Sequence, residues 1–293
     1  MDFCSHENWT ILSSVEQSIK KKIEQRGKRL REWDHNIYRG ILTGFNDAFI
    51  ISGEKKDELI AKDPKSAEII RPILRGRDIK RYGSSFADLW LINVHNGVKD
   101  KNIPRINIED YPAIKMHLDD FYVKLSKRSD KGETPYNLRN CAYMDDFSKQ
   151  KIVYAETMRV HRNDKADRFP RFSFIAEETF LDKTCFMITG EHLLYILPII
   201  NSSLMQYYIQ RNIAVLDTGG FLMQKIYVED FPIPPVEAES YSTLTELATE
   251  ILAKRASGED TRSLEELVDM QVYALFNLTD EEIQYVEACR IGG

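Results

Sequence analysis

Paired cysteines, long apolar runs and a leader-like N-terminus are all missing from this 293-residue sequence. Its four cysteines form no C-x-x-C pair and have no metal-ligand spacing, which predicts reduced thiols. The longest apolar run, residues 193–200, is interrupted by Pro198 and is too short to cross a membrane. No apolar stretch follows a basic N-terminal start, so we expect no export. These absences predict a cytoplasmic protein without a membrane partner.

Catalytic motifs are missing as well. The sequence has no G-x-G-x-x-G phosphate loop and no P-loop. Adenine methyltransferases carry an Asn or Asp followed by two prolines and an aromatic residue, whereas this chain has Ile233-Pro234-Pro235-Val236. That tetrapeptide lacks both the amide that would hold the adenine amino group and the ring that would stack on the base. We therefore predict that the chain transfers no methyl group by itself and has no catalytic residues.

Patterns typical of metal sites are scarce. A metal-dependent nuclease needs carboxylates gathered around a metal with a lysine nearby. The fragments Asp78-Ile79-Lys80 and Asp63-Pro64-Lys65 match only the smallest part of such a site. Because a carboxylate two residues from a lysine recurs by chance in so charged a chain, a nuclease is a minor alternative. The six histidines show no H-x-x-x-H or His/Cys pairing, so no metal ligand is predicted.

The net charge of −6 hides two regions of opposite sign. Residues 229–293 carry 15 acidic and 4 basic residues, so residues 1–228 carry 36 basic and 31 acidic residues. Seven of those cations lie in residues 20–31, which are most simply a solvated helix face, with phosphate contact as the other interpretation. A mildly basic body joined to an acidic tail is compatible with nucleic-acid binding.

Local patterns predict helices at both ends of the chain, and both strands and further helices between them, one of which begins at Pro112. Ser13 and Glu16 have the spacing of a capping box, which starts a helix predicted over residues 13–31. Residues 191–211 are predicted to be helical with a break at Asn201-Ser202-Ser203, and three amphipathic helices are predicted within residues 242–287. Strands are predicted for six short segments: residues 48–51, 87–94, 151–155, 172–175, 184–188 and 224–228.

These elements predict an α+β fold with three parts. Residues 1–34 form an N-terminal helix and linker, residues 35–235 a mixed-sheet domain with flanking helices, and residues 236–293 an acidic helical appendage. The second boundary follows Phe231-Pro232-Ile233-Pro234-Pro235, because each proline disfavours the helical conformation in the residue before it.

Two segments carry the residue types that read nucleic acids. Residues 159–171 combine Arg, Lys, His and Asn in one predicted loop, and residues 75–81 hold four cations around Gly76. Arg commonly reads guanine, Asn reads adenine, and Lys and Arg also hold phosphates. The competing interpretations are a solvated polar loop for the first segment and a turn held by Asp78 or Glu68 for the second. The candidate DNA-binding residues, which include one further cation, are Arg75, Arg77, Lys80, Arg81, Arg159, His161, Arg162, Asn163, Lys165, Arg168, Arg171 and Lys225.

Seven segments follow one another along the chain in an order that identifies a family more specifically than any one segment does. They are residues 40–82, 87–92, 135–139, 151–156, 201–202, 231–234 and 264–283. This series resembles the TaqI-like C-terminal specificity domain, the target-recognition module of adenine-specific DNA methyltransferases in type IIG restriction-modification and phage-exclusion systems. The resemblance extends over about residues 9–287. One departure is the short turn Gly219-Gly220-Phe221-Leu222-Met223, after which Lys225 is the only cation, whereas the family usually has a longer turn with basic and aromatic residues.

The resemblance implies that residues 35–235 are a target-recognition domain that reads a short sequence of double-stranded DNA through loops. A DNA methyltransferase core, present in cis or supplied in trans, would flip and methylate adenine. S-adenosylmethionine and any magnesium would belong to that partner, so no cofactor is expected in this chain. The helices at the two ends are candidates for docking against the core. The alternative is a protein-interaction module that docks on a methyltransferase without reading DNA.

Overall fold

The computed structural model describes residues 12–160, 168–217 and 219–290. Over these residues the chain forms eleven α-helices and fourteen short strands, joined by turns and short 3₁₀ segments. The helices are α1 (Ser14–Arg26), α2 (Asn46–Phe49), α3 (Gly53–Lys62), α4 (Pro112–Asp119), α5 (Tyr122–Lys127), α6 (Leu193–Asn201), α7 (Ser203–Asn212), α8 (Lys225–Val228), α9 (Ala238–Ala256), α10 (Arg262–Leu275) and α11 (Asp280–Ala288). The strands are β1 (Lys28–Arg29), β2 (His35–Arg39), β3 (Ile50–Ser52), β4 (Ile70–Leu74), β5 (Ile79–Lys80), β6 (Gly83–Ser84), β7 (Leu89–Ile92), β8 (Lys151–Ala155), β9 (Thr157–Met158), β10 (Phe172–Ile175), β11 (Phe180–Leu181), β12 (Cys185–Gly190), β13 (Phe221–Leu222) and β14 (Pro232–Ile233).

The first sheet is antiparallel and has the strand order β10-β8-β12-β2. Its two central strands, β8 and β12, are buried on both faces, because their side chains alternate between two cores. In β8, Ile152 and Tyr154 pack with the helices, whereas Val153 packs with the second sheet. The strands predicted over residues 151–155 and 172–175 are confirmed as β8 and β10.

The second sheet has the strand order β11-β4-β7-β3 and is mixed. β4 and β3 run antiparallel to β7, while β11 runs parallel to β4. Only three residues separate β11 from β12 of the first sheet, and the Asp182 N–H donates to the Leu74 carbonyl at 2.9 Å. The α+β fold with mixed sheets and flanking helices is therefore confirmed.

Capping residues set the helix boundaries that the sequence predicts. Ser13 and Glu16 form both hydrogen bonds of the capping box at the start of α1. Ser202 accepts from the Met205 N–H and starts α7, so the predicted break between α6 and α7 is confirmed. The prediction that the first helix continues to residue 31 is wrong, because α1 ends at Arg26 and the chain then pairs as β1 with β14. A Cβ on Gly27 would lie 2.4 Å from the Pro232 Cβ, so only glycine fits this exit.

The three C-terminal helices share a core with the first sheet. Leu244 of α9 and Val272 of α10 are fully buried in the same hydrophobic cluster as Tyr154 of β8. The two chain ends also meet, because Glu282 of α11 accepts hydrogen bonds from Ser18 and Lys22 of α1. The boundaries predicted at residues 35 and 236 stay predictions. Within the part of the chain that the structure describes, none of the helices combines the length and the hydrophobicity of a membrane span.

Candidate nucleic-acid interface

Four strands of the first sheet begin or end at the same edge. β2 ends at Arg39 and β8 ends at Ala155, whereas β12 begins at Cys185 and β10 begins at Phe172. Because neighbouring strands are antiparallel, Cys185 lies opposite Ala155, and Phe186 lies opposite Arg39. The segments that adjoin these strand ends are therefore neighbours in space although they are far apart in the sequence.

The turn after β4 joins this edge from the second sheet. β4 ends at Leu74 beside Leu181 of β11, and the following Gly76 N–H donates to the Thr184 hydroxyl at 3.1 Å. A Cβ on Gly76 would lie 3.2 Å from both the Ala155 Cβ and the Thr184 Oγ1. The turn therefore packs closely against the ends of β8 and β12, and it carries Arg75 and Arg77 to the edge.

A short two-stranded antiparallel sheet completes the edge. β9 pairs with β13, and the Met223 N–H donates to the Glu156 carbonyl at 2.7 Å. Gly220 has φ +146°, and a Cβ there would lie 3.1 Å from the Met158 carbonyl, so this close approach requires glycine. Lys225 follows two residues after Met223. The strand predicted over residues 224–228 is wrong, because this stretch forms the one-turn helix α8.

Cations from all these segments form a surface that we call the basic edge. Its members are Arg39, Arg75, Arg77, Arg159, Arg171, Lys183 and Lys225. Five of these described residues are exposed: Arg39, Arg77, Arg159, Lys183 and Lys225. Because they come from separate segments, this arrangement is a tertiary feature and not a run of charge along the chain.

Glu156 and Asp78 are carboxylates at the basic edge, and each binds one of its arginines. Arg39 Nη2 donates to Glu156 Oε2 at 2.7 Å, and Arg39 Nε donates to the Lys183 carbonyl at 2.7 Å. Asp78 accepts from Arg75 Nε at 2.9 Å, from Arg75 Nη2 at 2.8 Å and from the Arg75 N–H at 2.9 Å. Burial alone would raise the pKa of Asp78, but these hydrogen bonds lower it. Arg75 thus holds its own turn, as one of the two sequence interpretations proposes.

Arg81 is corrected from a candidate DNA contact to a buried structural residue. Its side chain is 1% exposed, and its Nε donates to Glu265 Oε2 at 2.5 Å. Although burial disfavours the charged guanidinium, the Glu265 carboxylate raises the pKa of Arg81. Arg168 is largely buried as well, with its Nη2 3.8 Å from Asp269 Oδ2. Lys80 is half-buried in β5.

The predicted loop over residues 159–171 is described only at its two ends. Arg159 is exposed, and its carbonyl accepts from Arg171 Nη2 at 2.7 Å. These two arginines, together with Arg77 and Lys225, stay predicted DNA contacts. Four further candidates lie outside the described residues: His161, Arg162, Asn163 and Lys165.

Sequence reasoning missed Arg39, Glu156 and Lys183. Arg39 and Glu156 lie at strand ends, and Lys183 lies in the short link between β11 and β12. No local motif marks them, because only the register of β2, β8 and β12 brings them together. For Glu156 and Lys183 the available signal is a charged residue next to a predicted strand, over residues 151–155 and 184–188. Arg39 has no such signal, because no strand is predicted over residues 35–39.

The residues considered for metal-dependent cleavage have other partners. Asp78 is held by Arg75, while Asp63 caps the 3₁₀ turn Pro64–Glu68 by accepting from the Lys65 N–H. Within the part of the chain that the structure describes, no group of three or more His, Cys, Asp or Glu residues has a geometry that could hold a metal ion.

Comparison with known proteins gives a family and two similar folds. A family model described as the TaqI-like C-terminal specificity domain matches residues 71–233, which is more than half of the chain. The type IIL restriction-modification enzyme MmeI, solved in complex with DNA, is 14% identical with a TM-score of 0.65. The match covers 90% of this chain and 37% of MmeI.

The type IIG restriction endonuclease BpuSI is also 14% identical, with a TM-score of 0.52. That match covers 92% of this chain and 33% of BpuSI, so the chain spans only about a third of the length of either enzyme. At this identity the two structures show a shared fold. The family match covers the strands and turns that build the basic edge except β2, which carries Arg39. The chain therefore belongs to the TaqI-like C-terminal specificity domain family.

Proposed function

We propose that this chain is the sequence-specific DNA recognition module of a restriction-modification adenine-N6 DNA methyltransferase, and that it is non-catalytic by itself. The observation that carries the proposal is the basic edge, where five exposed cations from separate segments meet at one end of a buried sheet. Lysine and arginine hold phosphates, and arginine also reads guanine in the major groove. A rigid sheet that presents loops is a common way to place recognition residues.

The relatives support this proposal in two ways. The family is a specificity domain by its description, and MmeI was solved in complex with DNA. Because the chain corresponds to about a third of MmeI or BpuSI, the methyltransferase core would lie in other residues of a longer protein or in a separate chain. That core would bind S-adenosylmethionine and any magnesium.

The helices at the two chain ends are the proposed contacts with this core. α1 and α11 pack together through Glu282. The neighbouring helix α10 exposes two apolar side chains one turn apart, Leu267 at 51% and Met270 at 56%. These exposed side chains also favour the alternative function, a protein-interaction module that docks on a methyltransferase without reading DNA.

Selection from a duplex pool tests the proposed function. The purified chain is incubated at low salt with duplexes that have a randomised centre, with and without a methyltransferase core, and the bound DNA is sequenced. We expect retention of the pool and enrichment of one short sequence, since specific sites bind at least about 10³-fold tighter than non-specific DNA. Failure to retain duplex under either condition would contradict DNA recognition and favour the interaction module.

A further inference from the structure

A buried charge network joins the C-terminal helices to the sheet, and the proposed function assigns it no role. Arg81 follows β5, and Glu265 lies on α10; their side chains are 1% and 2% exposed. Glu265 Oε2 accepts from Arg81 Nε at 2.5 Å, while Oε1 accepts from Arg255 Nη2 at 2.9 Å and from the Thr261 hydroxyl at 2.8 Å. Both carboxylate oxygens are satisfied, as a buried charge requires.

The Arg81 guanidinium also holds two pieces of backbone. Its Nη1 donates to the Pro170 carbonyl at 3.0 Å and to the Asn201 carbonyl at 2.5 Å. The Asn201 side chain pairs with the backbone of Phe172 in both directions, each at 3.0 Å. The chain that leads through Pro170 into β10 is therefore fixed by α10, through Arg81, and by the end of α6.

A second carboxylate of α10 reaches the same region. Asp269 lies one helical turn after Glu265 and accepts from the N–H and the hydroxyl of Ser203, each at 2.6 Å. Arg168 Nη2 lies 3.8 Å from Asp269 Oδ2. Glu265 and Asp269, on one face of α10, thus pair with Arg81 and Arg168, respectively. These two arginines come from residues 75–81 and 159–171, the two segments that the sequence predicts to read DNA.

Buried ion pairs contribute little net stability compared with apolar residues of similar size, so stability alone does not explain this network. We propose that α10 is a positioning element, in which Glu265 and Asp269 fix the backbone at residues 168–172 and thereby set the sequence selectivity of the adjoining basic edge. The proposal rests on the proposed function only for its effect on DNA. The mechanical coupling of α10 to residues 168–172 stands on the contacts themselves.

Amide hydrogen exchange on the full chain tests the coupling without DNA. The variants are Glu265→Gln and the double variant Arg81→Met/Glu265→Leu, which keeps the site filled and apolar if the first variant folds poorly. Glu266→Gln, an exposed neighbour on α10, is the matched control. We expect the amides of Arg171 and Phe172 to exchange at least about tenfold faster in both variants, while β8 amides keep their rates. Unchanged exchange at these two amides would overturn the proposal.

Selection from the randomised duplex pool then tests the consequence for recognition. Because the exposed cations remain, we expect both variants to retain the pool at low salt within about twofold of the wild type. Enrichment of the preferred sequence should fall at least about tenfold. A lower melting temperature with unchanged enrichment would mean a purely structural role and would overturn the positioning role. If the wild-type chain enriches no sequence, the proposed function fails, while the exchange result still decides the coupling.

Discussion

The side chain of Asn201 should contribute more to the stability of this fold than most other side chains do. Asn201 is 1% exposed, and its Oδ1 accepts from the Phe172 N–H while its Nδ2 donates to the Phe172 carbonyl. Phe172 faces Tyr154 in the sheet register, but its N–H bonds to Asn201. An amide side chain at the end of α6 therefore continues the hydrogen bonding of a strand.

The contacts of Asn201 set the size of the stability loss expected for an Asn201→Ala substitution. Two hydrogen bonds are lost at about 1 kcal/mol each, and a buried N–H without a partner adds about 1–3 kcal/mol. The Phe172 carbonyl keeps one donor, the Tyr82 N–H at 3.0 Å, so its loss is partial. We expect a decrease of about 3 kcal/mol in the free energy of unfolding. With an unfolding entropy of about 2.1 cal/mol/K per residue, the melting temperature should fall by about 5 °C.

Urea and thermal unfolding followed by circular dichroism measure this loss. Asn212→Ala is the matched control, because Asn212 is exposed and donates to the Tyr208 carbonyl at 2.8 Å at the end of α7. The control should change the free energy of unfolding by no more than about 0.5 kcal/mol. An Asn201→Ala variant as stable as the control would refute the reasoning.

Two further predictions concern buried and paired charges. Burial lowers the pKa of Lys151 to about 8 from 10.5, so the unfolded chain binds more protons between those pH values and stability should rise with pH. In urea unfolding, Lys151→Met should remove this rise in the free energy of unfolding, which is at most about 3 kcal/mol. Plots of the free energy of unfolding against pH that run parallel for the variant and the wild type would contradict the prediction. Glu156→Gln should release Arg39 and steepen the salt dependence of duplex binding by about one phosphate contact. Glu178→Gln is the control: it releases Arg71, which lies near the start of β4 and away from the basic edge, and it should leave the salt dependence of duplex binding unchanged.

The features that the sequence predicts correctly depend on residues that are close together in the chain. The capping box at Ser13 and the break at Ser202 depend on residues within one turn, and both occur where the sequence places them. β8 is a short apolar run between polar segments, so its burial is readable without tertiary information. The same reasoning fails at α8, where isoleucine, tyrosine and valine favour a strand but the chain forms one helical turn.

The candidate site depends on contacts that are distant in sequence. Arg81 looks like a surface cation because its partner, Glu265, lies 184 residues further along the chain. Arg39 and Glu156 are 117 residues apart and meet only through the register of three strands. Composition therefore predicts a basic body, whereas tertiary structure decides which cations reach the surface.

The salt dependence of duplex binding tests the central claim most directly. Arg39 is paired with Glu156, so four exposed cations of the basic edge are counted: Arg77, Arg159, Lys183 and Lys225. If each of these four neutralises one phosphate, log K should fall against log salt with a slope of about −4. The triple variant Arg77→Ala/Arg159→Ala/Lys225→Ala should make that slope less steep by about 3. The control Lys20→Ala/Lys21→Ala/Arg26→Ala removes three exposed cations of α1 and should leave the slope unchanged. A slope that responds to the α1 variant and not to the basic-edge variant would contradict DNA recognition at this edge.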